Sequence, residues 1–220
     1  MEILYKLRHI TFNDWATLLF FLCFVIIAIN RNVYSVRFSE FTKLAFSDRY
    51  AKTYKDSSNI LNSFTVSMLV VQLIALSFFI LLFFNQFEIA TKNNGILFVQ
   101  IITFLSVFIF SKFLFEKIIA VTFAIEEFVD QFNLQKVIYR TYIGFLLLPI
   151  TLVLFYNPVS SSAIFYIIGF IILVFNVLLY ITIVKKYQNF ILRKIFYFIL
   201  YLCAFEIAPY YFIYYWIVKN

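Results

Sequence analysis

The chain has 220 residues, of which 64% are hydrophobic and 13% charged, and its formal net charge is +7. About 25% of the residues in an ordinary soluble domain are charged, so this composition excludes a water-soluble core. Basic residues beside apolar stretches are typical of membrane proteins, so the positive charge predicts contact with anionic lipid headgroups and no nucleic-acid partner.

Six apolar runs follow one another along the chain. About 18 apolar residues are enough for a helix to cross a hydrocarbon core of roughly 30 Å, and the shorter first run can recruit flanking residues. We predict an all-α, polytopic transmembrane bundle: one membrane domain of six spans, with one or two short cytoplasmic interfacial helices. The predicted spans are approximately residues 15–29, 61–84, 96–115, 137–156, 163–184 and 195–218.

Two segments between the runs are long enough to hold short helices. In residues 30–60, apolar residues at helical spacing suit a helix in the inner headgroup layer, and a solvated loop is the open alternative. They are Phe38, Phe41, Leu44 and Ala45. In residues 116–136, an apolar stripe that includes Ile118, Val121 and Phe132 lies opposite an acidic face. This pattern predicts that the third span continues as a helix into the cytoplasm or along the membrane surface.

The Lys and Arg residues crowd into every second polar stretch. Alternate sides of the membrane carry fourteen and four of them. The positive-inside rule therefore places the fourteen in the cytoplasm and both termini on the outer side of the membrane. Trp15 and Trp216 fall on the same outer face, where interfacial tryptophans are enriched.

Glu206 is the acidic residue that lies deep inside an apolar run, about eleven residues from either end of the last span. An ionisable group at that depth is costly unless it is paired or protonated, so it is a candidate functional residue. Pro209 follows three residues later and removes a backbone donor. The pair suits ion or proton binding, and a neutral Glu206 that locks helix packing is the open alternative.

Several polar residues in the other spans could pair with Glu206. The uncharged candidates are Asn176, Gln72 and Gln100, and the charged ones are Lys112 and Arg140. Both basic side chains are also placed to extend to the inner membrane surface, where such side chains commonly lie. Lys112 is in addition four residues before Glu116, which is the spacing of an ordinary helical ion pair.

Motifs for catalysis and metal binding are missing from the sequence. His9 is the single histidine, and Cys23 and Cys203 lie inside apolar runs, where they act as small hydrophobic residues. A zinc site of the His-Glu-x-x-His type is thereby excluded, and neither a nucleophile elbow nor a glycine-rich phosphate loop is present. We therefore expect no metal, no cofactor and no catalytic residue.

Four short motifs extend over most of the chain. They are Asp14-Trp15, Tyr34 with Arg37-Phe38, Gly144 to Pro149, and Leu202-Cys203 to Glu206-Ile207-Ala208-Pro209. On these motifs the chain resembles an uncharacterised family of polytopic inner-membrane proteins from Bacteroidota that is catalogued only as a domain of unknown function. The resemblance implies a bacterial inner-membrane location, in which both termini would be periplasmic, and it assigns no activity.

These patterns favour a part of a larger assembly. We expect a non-catalytic accessory or assembly subunit of an envelope complex, in export or envelope biogenesis, with protein partners in the membrane. The alternative is a small proton- or ion-coupled transporter or channel subunit that uses Glu206. A membrane-embedded enzyme is a third and weaker hypothesis.

Overall fold

The computed structural model describes residues 14–44, 50, 62–122, 126–157, 162–186, 211 and 215, and the elements in this part of the chain are all helices. This confirms the all-α class. In chain order the helices are α1 (Asp14–Val33), α2 (Ser35–Thr42), α3 (Ser63–Gln86), α4 (Gly95–Thr122), α5 (Glu126–Tyr156) and α6 (Ser162–Lys186).

Four of these helices are long and apolar enough to cross a membrane. They are α1, α3, α4 and the Val129–Tyr156 part of α5, and their most apolar windows have a mean hydropathy of 1.8 to 2.6. They contain the first four predicted spans, so the chain has the helices of a membrane protein. The described apolar part of α6 is shorter, Ser162–Leu178. The last predicted span, with Glu206 and Pro209, lies outside the described residues, so the count of six stays a prediction.

Helix α3 is the central element of the bundle. It contacts α1, α4 and α5, and its contact with α5 is the most extensive between any two helices. In its most apolar window 56% of the residues are buried, against 11% in α4. Helix α3 is therefore surrounded by other helices, which explains why it is apolar on most of its sides. Helix α4 lies at the edge of the described bundle.

Trp15 belongs to an aromatic cluster inside the protein. Its ring centroid lies 5.2 Å from that of Phe98 and 5.8 Å from that of Phe78. Phe155 of α5 completes the cluster. Trp15, which the sequence predicts at the membrane interface, thus also joins α1 to α3, α4 and α5. Trp216 lies outside the described residues.

The segment after α1 forms a helix that packs within the protein. Phe41 and Leu44 are buried, and the Phe41 ring centroid lies 5.6 Å from those of Phe64 on α3 and Tyr142 on α5. A helix over Ser35–Thr42 fits the expected spacing, although its apolar side contacts neighbouring helices. Its position relative to the cytoplasm is still a prediction.

The prediction of one apolar helix face over residues 116–136 is wrong. Ile118 and Val121 are 60% and 54% exposed, whereas Phe132 is buried. The reason is that α4 ends at Thr122 and α5 begins at Glu126, so these residues lie on two different helices and share no face. The third span does continue as a helix beyond residue 115, as expected.

Candidate functional site

A buried ion pair joins α4 to α5. The Lys136 ammonium donates to both carboxylate oxygens of Glu116, at 2.9 and 3.1 Å, and the two side chains are 5% and 3% exposed. Lys112 is similarly buried, and its Nζ lies 4.0 Å from the same carboxylate. Two buried cations therefore share one carboxylate among these three residues. Burial of such charges is costly unless they are paired, so the pairing is required for the two helices to pack as they do.

The register between α4 and α5 follows from their ion pairs. The two helices are separated by three residues of sequence, and residues progressively farther from that break meet in the pairs Lys117–Asp130 and Glu116–Lys136, as in an antiparallel hairpin. Lys117 and Asp130 form a second ion pair at 3.5 Å nearer the connection. The Lys117 side chain is 51% exposed, so this outer pair contributes far less than the buried one.

Lys136 has a second contact that fixes its ammonium in place. Its Nζ lies 4.8 Å from the centroid of the Phe132 ring, one turn earlier on α5. A cation over an aromatic face is stabilised by the ring's quadrupole, and more strongly when water is excluded. The Lys136 ammonium is therefore held between the Phe132 ring on α5 and the Glu116 carboxylate on α4.

A small cavity of about 140 Å³ lies against this ion pair. Its polar lining comes from Lys112, Glu116, Asn133, Lys136 and Arg140. Asn133 is only 3% exposed, and its Oδ1 has no hydrogen-bond partner within the described residues. A buried amide oxygen without a donor is unfavourable. The cavity therefore offers an unused acceptor beside several cationic groups.

A larger cavity of about 550 Å³ lies beside the small one. The two share Phe108, Ile109 and Arg140, and the larger one extends between α3, α4, α5 and α6. Most of its lining is aliphatic or aromatic. Gln72 on α3 and Asn176 on α6 are its other polar residues, and the Asn176 amide nitrogen donates to the Ile172 carbonyl at 2.8 Å. The volume is within the range of roughly 300–1,000 Å³ that is typical of ligand pockets.

Gly144 allows α3 and α5 to approach closely beside this cavity. A Cβ atom added there would lie 2.6 Å from both Cα and Cβ of Gln72. Carbon atoms do not pack that closely, since their optimal separation is about 3.5–4.0 Å. The glycine therefore brings the α3 backbone against α5 and sets the width of the cavity on that side.

The residues predicted as partners of Glu206 divide into two groups. Gln72, Asn176 and Arg140 line the larger cavity, and Lys112 lines the smaller one beside it. Gln100 is exposed on α4 and lines neither cavity. Four of the five polar candidates are thus brought together, whereas Glu206 and Pro209 lie outside the described residues.

Sequence reasoning missed Glu116, Asn133 and Lys136. Glu116 was matched only with Lys112 at four-residue spacing, and that contact is the longer one, at 4.0 Å. The useful signal was the spacing of charged residues on α4 and α5, which are separated by only three residues of sequence. Lys112 and Glu116 precede it at one turn's spacing, and Lys136 and Arg140 follow it at the same spacing.

Arg37 is a third buried cation, and its contacts are structural. Its Nε donates to the Tyr50 hydroxyl at 3.1 Å and its Nη2 to the Thr65 hydroxyl at 3.2 Å. The guanidinium carbon also lies 5.0 Å from the centroid of the Phe64 ring. These contacts tie α2 and Tyr50 to the start of α3, and Arg37 itself lines neither cavity.

No group of three or more His, Cys, Asp or Glu side chains in the described ranges is arranged to hold a metal ion. The buried charges here are instead cation-rich. Lys112, Lys136 and Arg140 face the small cavity together with one carboxylate, that of Glu116. Such a set of groups suits an anionic ligand better than a cation.

The comparisons with known proteins give one match. The model of a family described as a domain of unknown function (DUF4271) matches residues 16–217. Comparison with curated proteins found no match, and neither did comparison with solved structures. The matched range covers α1 to α6, so it includes both cavities and the buried ion pair.

Proposed function

The chain belongs to the family of the domain of unknown function DUF4271, and from that premise we propose that it is a non-catalytic subunit of a membrane assembly. It acts as an accessory or assembly component of an envelope complex in the bacterial inner membrane, in export or envelope biogenesis. It crosses the membrane six times with both termini in the periplasm, and it contacts anionic headgroups on the cytoplasmic side.

The exposed length of α4 carries this proposal. Only 11% of the residues in its most apolar window are buried within the chain. Its outward residues are large, and four of them, Val99, Phe104, Val107 and Leu114, are 58–60% exposed. Lipid can cover such a surface, and these large apolar side chains also offer a partner helix van der Waals contact.

Affinity purification in mild detergent tests this role. Val107→Trp keeps α4 apolar but changes the shape of its outward surface, so it should reduce co-purification of a membrane partner severalfold at unchanged protein abundance. Leu18→Trp on α1 is the matched control, because Leu18 is also largely exposed, at 63%. It should leave the partner bound.

Two results would contradict the accessory role. One is recovery of the unsubstituted protein from native membranes alone or as its own oligomer. The other is equal loss of the partner from both tryptophan variants, since that would mean that α4 has no special part in the contact.

The second candidate function is a proton- or ion-coupled transporter or channel subunit that uses Glu206. The gathering of Gln72, Asn176 and Arg140 around one cavity favours it, because these are polar groups that a carboxylate within the membrane would need. In this role the carboxyl of Glu206 binds and releases the coupling ion.

Glu206→Gln distinguishes coupling from packing. The amide keeps the size of the side chain but cannot exchange a proton, so a coupling role predicts loss of the cellular phenotype with normal protein abundance. Glu126→Gln, at an exposed carboxylate on α5, is the control and should behave like the unsubstituted chain. Reduced abundance with unchanged activity per molecule would instead assign Glu206 to helix packing.

A further inference from the structure

The two cavities adjoin, since they share Phe108, Ile109 and Arg140, and together they are called the groove, whose ends are unlike. The end between α4 and α5 is lined by the cations Lys112, Lys136 and Arg140, and the other end, between α4 and α6, is mostly apolar. Arg140 lies where the two parts join, since it lines both. A ligand that fills the whole groove must therefore combine an anionic group with a hydrocarbon part.

Helix geometry predicts that the cationic end lies near the depth of a lipid phosphate. Lys112 follows Gly95 by 17 residues and Arg140 precedes Tyr156 by 16, so each is about 25 Å along its helix at a rise of 1.5 Å per residue. The hydrocarbon core is roughly 30 Å thick. Both side chains are long enough to reach the boundary at which the phosphates of one leaflet begin.

The apolar end opens sideways toward the bilayer. Leu173 and Val177 of α6 line the larger cavity and are nevertheless 59% and 48% exposed. Residues that are both lining and exposed mark the mouth of a groove. A hydrocarbon chain can enter there without leaving the membrane.

We propose that this groove binds an anionic phospholipid, with its phosphate against Lys112 and Arg140 and one acyl chain along the apolar part. Arg140 has five N–H donors and Lys112 has three, so each can hold phosphate oxygens in addition to protein partners. The Glu116–Lys136 pair positions Lys112 from the next turn of α4. This inference goes beyond the accessory role and does not depend on it.

Selectivity should come from the headgroup. Lipid chains are as apolar as leucine side chains, so an acyl chain gains little by leaving the bilayer for an apolar groove. Charge-assisted hydrogen bonds to a phosphate that carries a net negative headgroup supply the preference. The groove should therefore select phosphatidylglycerol over phosphatidylcholine of the same chain composition.

Native mass spectrometry of the full chain in detergent tests this site. With phosphatidylglycerol and phosphatidylcholine added at equal concentration, we expect about tenfold higher occupancy by the anionic lipid. Arg140→Gln and Lys112→Gln should each lower that preference about tenfold, and Val177→Trp should block the mouth and lower binding of both lipids. Lys117→Gln, at an exposed cation on the same helix, is the matched control and should leave binding unchanged.

Several results would overturn the lipid site. Equal occupancy of the unsubstituted chain by the two lipids would contradict the proposed preference. This comparison needs no variant, so it remains valid even if Arg140→Gln fails to fold. Displacement of the lipid by millimolar inorganic phosphate would identify a site for the free ion. Absence of bound lipid in every sample would mean that another segment of this chain or a partner protein occupies the groove.

Discussion

Lys136→Met is expected to lower the free energy of unfolding by about 3–5 kcal/mol, because it leaves Glu116 buried without its closest cation. The Glu116 side chain is 3% exposed, and its two short hydrogen bonds come from Lys136. Lys112, at 4.0 Å, cannot replace both. Unfolding of the purified protein in mixed micelles of increasing denaturing-detergent content, followed by circular dichroism, measures the change.

Two further variants separate loss of the buried pair from loss of a positive charge. Lys117→Met removes the exposed partner of Asp130 and should cost less than about 1 kcal/mol. The double variant Lys136→Met with Glu116→Gln removes both charges of the pair and should recover part of the lost stability, because no carboxylate is then left unpaired, although Lys112 loses its contact with Glu116. Equal destabilisation by Lys136→Met and Lys117→Met would show that the Glu116–Lys136 contact does not hold α4 to α5.

Gly144→Ala is expected to destabilise the protein by about 1–3 kcal/mol or more, since an added methyl group overpacks the contact between α3 and α5. The new Cβ would meet backbone as well as side-chain atoms of Gln72 at 2.6 Å. A backbone atom cannot move aside as a flexible side chain does. The same unfolding measurement reports the loss, and the larger cavity should change shape because both residues line it.

Gly169→Ala is the matched control for Gly144→Ala, and we expect it to have no destabilising effect. A Cβ added there has no atom within 4 Å, so Gly169→Ala meets no steric barrier. Alanine favours a helix by about 0.5–1 kcal/mol over glycine, so the variant should be as stable as the unsubstituted chain or slightly more stable. If Gly144→Ala behaved in the same way, the close approach of α3 and α5 would be wrong.

The sequence was sufficient to predict the helical class because long apolar runs have few other stable structures in a membrane. The first four predicted spans correspond to α1, α3, α4 and α5. The first and last residues of each helix were harder to predict. Helix α5 begins at Glu126 although the predicted span begins at residue 137, because polar residues on a helix that emerges from the membrane do not interrupt it.

The residues of the site were only partly predictable, because the sequence pattern of one segment does not show which residues of another segment it contacts. Polarity within the apolar runs singled out Gln72, Asn176, Lys112 and Arg140, and these do line the cavities. Lys136 was placed in a cytoplasmic segment because a lysine outside an apolar run is usually solvated. Its burial depends on the register between α4 and α5, and periodicity within one segment carries no information about such a register.

The resemblance to an uncharacterised family was confirmed by the family match over residues 16–217. The motif from Gly144 to Pro149 includes a glycine at which α3 and α5 approach closely. Arg37, from another motif, makes contacts that join α2 to α3. Trp15, from a third, packs in the aromatic cluster of α1, α3, α4 and α5. Three of the four motifs therefore have structural reasons for their residue types.

The central claim is a polytopic membrane protein whose basic segments, including the end of the bundle that holds Glu116 and Lys136, face the cytoplasm. Cysteine labelling in cells with a permeabilised outer membrane tests it most directly, with the unsubstituted chain as the background for its two native cysteines. Lys219→Cys should react with a membrane-impermeant thiol reagent, and Ser57→Cys should react only after the inner membrane is lysed. Labelling of Ser57→Cys in intact inner membranes, with protection of Lys219→Cys, would contradict it.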